Sequence, residues 1–114
     1  MLIYSFYVNI PWDASLGDKN LPSGQYVVVV QDPDGSCNAG FYPAQEFSRD
    51  QRTKPLTTIR SACLLDEAMI PEATVHVLRS SAADLLVVLF ETPDQKVKKT
   101  RTIMIPLRRK FRLN

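Results

Sequence analysis

Residues 81–93 read Ser-Ala-Ala-Asp-Leu-Leu-Val-Val-Leu-Phe-Glu-Thr-Pro, and whether Leu85 to Phe90 is helix or strand decides the fold class. Ser81 with Asp84 three residues on resembles a helix capping box, and Ala82 and Ala83 favour helix too. Against this, Thr92-Pro93 would confine a helix to about three turns, and it would be apolar all round. A central strand fits better. Thr92-Pro93-Asp94-Gln95 then supplies a turn, and Lys96 to Ile105 a long strand returning beside the first. On the other side, Ala73 to Arg79 alternates in the strand sense, with Val75, Val77 and Arg79 opposite Thr74, His76 and Leu78.

The N-terminal half gives similar signals. Leu2 to Ile10 is rich in aromatic and β-branched residues, and alternation places Leu2, Tyr4, Phe6, Val8 and Ile10 on the core face. Pro11 ends that strand because it has no amide proton to offer. The expected N-terminal element is therefore a strand and not a signal peptide, since neither a basic leader nor a small-residue cleavage site is present. Residues 12–24 read as a loop. Gln25 to Gln31 holds four consecutive valines, which favour a strand buried on both faces. Asp32-Pro33-Asp34-Gly35 suits a type I turn into a short strand around Ala39 to Tyr42. Pro43 to Lys54 is irregular, with one helical turn near Ala44 to Phe47.

Pro55 to Ile70 is the best helix candidate. Ile59, Ala62, Cys63 and Met69 share a helical stripe with Leu65 beside it, and Pro71 would end it. Asp66 and Glu67 in the last turns oppose the helix dipole. The expected fold is thus α+β: a mainly antiparallel sheet of about five to six strands with one helix, or a small partly open β-barrel. The chain of 114 residues is read as a single domain, long enough for one core without staples.

Net charge is +2, but its distribution is uneven. Six Lys or Arg face twelve Asp or Glu up to Asp94, whereas Lys96, Lys98, Lys99, Arg101, Arg108, Arg109, Lys110 and Arg112 follow with no acid at all. Such segregation concerns binding surfaces rather than fold. If residues 107–113 are extended, Arg108, Lys110 and Arg112 point one way and Leu107, Phe111 and Leu113 the other. A row of cations over an apolar anchor could track phosphates. It equally describes a guarded edge strand, or cations paired with the chain's own acids. Base-stacking aromatics are not interleaved with the basic run, and no helix-turn-helix, GxxG or finger spacing occurs.

Catalytic patterns are absent from the sequence. His76 is the sole histidine, which excludes multi-histidine metal sites within one chain. Asp32 and Asp34 form a D-x-D, but the turn accounts for both and the other oxygen ligands of a calcium loop are missing. Asp66 and Glu67 would diverge on a helix. The glycines form no phosphate-cradling motif. Cys37 and Cys63 could form one disulfide, but they lack CxxC spacing and nothing requires the bond, so two reduced thiols of a cytoplasmic protein is the plainer reading; a thiol paired with His76 has no motif behind it. Trp12 and Tyr42 lie beside loops and could line a protein contact.

The leading expectation is a non-enzymatic module that binds a protein or a second copy of itself, without cofactor, metal or membrane. Its binding residues would be Arg101, Arg108, Arg109, Lys110, Arg112, Trp12 and Tyr42. Alternatives are a nucleic-acid-associated accessory protein using the basic C-terminal strand, and a small-molecule binder or enzyme with a barrel-like cavity.

Overall fold

A computed structural model describes residues 2–32, 36–47, 54–80 and 82–110. They form ten strands: β1 (Leu2–Ile10), β2 (Ala14–Leu16), β3 (Lys19–Leu21), β4 (Gly24–Asp32), β5 (Ser36–Pro43), β6 (Thr57–Ala62), β7 (Leu64–Asp66), β8 (Thr74–Ser80), β9 (Leu85–Asp94) and β10 (Lys99–Arg109). The first sheet has the order β1-β4-β5-β6. The second runs β3-β2-β10-β9-β8, with β7 also paired to β10. Every pairing is antiparallel.

The architecture is therefore all-β, two antiparallel sheets packed face to face and not closed into a barrel, which corrects the α+β expectation. No helix occurs among the described residues, so none is long and apolar enough to cross a membrane. The expected helix over 55–70 is instead β6 and β7, broken at Cys63. Thr57, Thr58 and Ile59 lose side-chain freedom in a helix, and Thr57 and Ile59 turn inward while Thr58 and Arg60 turn out. The segment leaves the first sheet as β6 and joins the second as β7, so its apolar residues serve two sheets rather than one helical stripe. The loop expected over 12–24 contains the β2–β3 hairpin. Gly17 there has φ +62° at the first central position of a two-residue turn, as a type II′ connection requires.

Alternation builds the core. Tyr4, Phe6, Val8 and Ile10 of β1 face inward as expected, and Tyr26, Val28 and Val30 of β4 lie beside them. From the second sheet come Leu86, Val88 and Phe90 of β9 with Ile103, Ile105 and Leu107 of β10. Phe6 meets Phe90 across the gap with ring centres 5.0 Å apart, and the Tyr4 hydroxyl donates to the Pro93 carbonyl at 3.0 Å, so β1 lies over β9. Leu85 to Phe90 is thus the central strand that the sequence favours. Its turn lies later than expected: β9 runs on to Asp94, the connection is 95–98, and β10 spans Lys99–Arg109 rather than 96–105. Pro106 falls in the stretch 103–107 that β9 flanks but neither β7 nor β2 reaches, where a residue without an amide proton is tolerated. The turn expected around 33–35 lies outside the described residues.

Cys37 and Cys63 form a disulfide, Cα to Cα 5.4 Å, which corrects the reduced-thiol expectation. It ties β5 to the point where the chain passes from one sheet to the other. A strap, residues 67–73, then crosses the outside of β10 and β9 to reach β8. Its Ala68 carbonyl accepts from the Thr100 hydroxyl at 2.6 Å, and the Ile70 amide donates back to the same oxygen at 3.0 Å. That reciprocal pair explains why Thr100 is buried on an outward-facing position.

Candidate interaction surface

The cations of β10 divide into two groups with an uncharged middle. Lys96, Lys98, Lys99 and Arg101 gather at the hairpin tip, and Arg108, Arg109 and Lys110 at the far end. Arg108 lies seven positions after Arg101, about 23 Å away at strand rise. Arg101 is turned inward and only 14% exposed; its Nε donates to Asp94 Oδ2 at 2.7 Å. The Asp94 carboxyl is held below its ordinary value, chiefly by that hydrogen bond, with the Lys96 amide helping and burial opposing. Lys99 reaches Glu67 on the strap at 3.2 Å.

At the other end Arg108 faces outward and is exposed. Arg109 meets Asp84 at 3.7 Å, and its amide donates to the Asp84 carbonyl. Lys110 is exposed, with its amide bonded to the Asp13 carbonyl. Arg112 lies outside the described residues. The chain's own acids are thus interleaved with these cations.

Trp12 is half-buried at the β1–β2 corner and packs against the core. Tyr42 lies on the outer face of the first sheet, its ring against Phe47 at 5.1 Å and 3.3 Å from where a Gly40 Cβ would stand. Those of the anticipated binding residues that are described therefore lie at the hairpin tip, the far end of β10, the β1–β2 corner and the outer face of the first sheet, and form no single site. Both cysteines are in the disulfide, which removes a thiol nucleophile. His76 instead contacts Glu91, Nε2 to Oε1 3.2 Å. No group of three His, Cys, Asp or Glu among the described residues could hold a metal. A cleft of about 440 Å³ separates the β2–β3 turn from β6, open to solvent and lined by Leu16, Leu56, Thr58 and Ile59 among others.

What the structure does assemble is an apolar face. The outward positions of β9 are Leu85, Val87, Leu89 and Glu91. In register beside them stand Arg108, Pro106, Met104 and Thr102 of β10, and Ser80, Leu78, His76 and Thr74 of β8. Leu78 is 56% exposed and Met104 54%, while Leu64 of β7, outside Thr102, is 58% exposed. The middle two rows, Leu78-Val87-Pro106 and His76-Leu89-Met104, are apolar but for His76. The strap closes the face at the Glu91 end, and β8 leaves it open at the side. A contiguous exposed apolar patch rimmed by polar residues is often a contact surface. Its trace in the sequence is the unbroken run Leu85 to Phe90, apolar on both strand faces although only one face can meet the core.

Comparison with protein-family models, curated proteins and solved structures finds no match to the chain.

Proposed function

We propose that the chain is a non-enzymatic protein-interaction module that uses the outer face of its second sheet. The observation behind this reading is the pair of central rows on β8, β9 and β10, where Leu78 and Met104 expose more than half their surface beside Leu89, Val87 and Pro106. Apolar side chains with a polar rim are the composition of a protein contact, not of a phosphate-binding groove. The pairing of Lys99, Arg101 and Arg109 with the chain's own acids weighs the same way. The disulfide supports a non-reducing compartment over the cytoplasm that the sequence suggested.

A displayed-peptide library tests the reading. Binders selected on the wild-type domain should lose at least tenfold in retention on the Leu78→Glu/Met104→Glu variant, whose substitutions are at exposed positions and leave the core intact. Binders indifferent to that variant, or none at all, would overturn it. Salt-sensitive binding of a mixed single-stranded DNA pool, lost on Arg108→Gln/Lys110→Gln, would favour nucleic acid instead.

A further inference from the structure

Resting on that reading, we infer that the occupant of the face is a second copy of the chain, packed sheet to sheet with its strands reversed. The charges select this arrangement. Among outward positions of β7 to β10, the acids Asp66 and Glu91 lie at one end and the single base Arg108 at the other. Glu91 is six residues from Leu85, the partner of Arg108, so the two ends are about 20 Å apart. Beyond Glu91 the strap carries Glu72 and Glu67, the latter already paired with Lys99, and the hairpin tip carries Lys96 and Lys98, so the selection rests on Glu91 and Arg108 of the sheet face itself.

A twofold axis in the plane of the interface and across the strands turns one copy end for end. Arg108 of each copy then lies over Thr102 of the other, beside Glu91, and Met104 lies over Pro106. Leu78 covers His76, and Leu89 covers Val87. An axis along the strands would instead set Glu91 against Glu91, a like-charge contact. The reversed arrangement joins Glu91 to Arg108 at both ends and, apart from Leu78 over His76, apolar to apolar between them, the self-complementarity an isologous dimer requires. Two sheets related in this way pack about 10 Å apart with nearly aligned strands.

The footprint is small. Three strands about 4.8 Å apart and about 20 Å long give a projected area of roughly 300 Å² per copy. Over both copies that is about 600 Å², below the roughly 1,200 Å² of a standard interface, so the dimer is weak and freely reversible.

Sedimentation equilibrium over about 5 to 500 µM reads the outcome. The wild type should pass from monomer to dimer across this range, and Met104→Glu should remain monomeric. Arg108→Glu and Glu91→Arg should each weaken the dimer about tenfold, while the chain carrying both changes recovers most of the loss. A wild-type chain that stays monomeric throughout would overturn the dimer. If library peptides still select the face, the interaction reading survives that failure. A dimer indifferent to Met104→Glu and to both charge reversals would place self-association elsewhere and equally overturn this arrangement.

Discussion

Arg101 and Asp94 illustrate how a charge that looks available can be committed within the fold. The guanidinium lies on the inward side of β10, diagonal to Asp94 across the hairpin, and both side chains are largely shielded from water. Removing the cation would strand a carboxylate there, so Arg101→Met should cost about 1.5–3 kcal/mol in urea denaturation at pH 7. The pH dependence follows from the depressed Asp94 pKa. Its stabilisation is complete above the ordinary carboxylate value, near 3.9, and is lost as pH falls through the lower folded value. The gap between wild type and variant should therefore narrow as the unfolding series is taken to acid; a gap constant with pH would refute the assignment. In the sequence, Arg101 reads only as one of eight cations. A turn at 92–95 would pair Glu91 with Lys96 and put Arg101 opposite Leu86, which hides its partner. The true register pairs Asp94 with Lys99 and brings the two charges together.

At the scale of elements, the connection between β9 and β10 is a four-residue turn opened by Asp94, whose Oδ1 accepts from the Lys96 amide at 3.0 Å. It closes on Lys98 at φ +54°, the left-handed region that a side chain disfavours. Lys98→Gly should raise stability by about 0.5–1 kcal/mol, seen as a higher midpoint of thermal or urea unfolding with unchanged cooperativity. An unchanged or lower midpoint would mean that the greater freedom of glycine in the unfolded chain outweighs the relief. Long alternating elements such as β1 and β8 were legible because a period of two over seven to nine residues is unmistakable, and β4 because four consecutive valines favour strand over helix. The three-residue strands β2, β3 and β7 were not, since one or two side chains cannot display a period. Between β6 and β7 the chain changes sheets at Cys63, and the apolar positions on either side imitate a helical stripe. The apolar face was only partly legible: alternation grouped Leu78 with Thr74 and His76 without saying which set faces out, and Met104 and Pro106 gain meaning only once β10 is set in register against β9.

Across the whole molecule, what matters is how the two sheets are held to each other. Inward-facing residues of both bury one common core, and β1 crosses over β9 through Phe6, Phe90 and Tyr4. The Cys37–Cys63 bond adds a covalent tie between β5 and the strand that changes sheets, closing a loop with a sequence separation of 26. By chain entropy such a loop removes about 3.5 kcal/mol of freedom from the unfolded state. Cys37 is buried at 2% exposure against Ala39 and the core, so the sulfur also contributes packing. Reduction of the wild type isolates the first effect, because it leaves every atom of the side chains but the bond in place. Thermal unfolding with excess dithiothreitol should fall by roughly 10–20 °C relative to the oxidised chain, and Cys37→Ala/Cys63→Ala should fall at least as far in either condition. The double variant should not respond to reductant. A wild-type midpoint unaffected by complete reduction, verified by thiol counting, would show that apolar packing between the sheets holds the crossover by itself. The entropic tie would then lose its force.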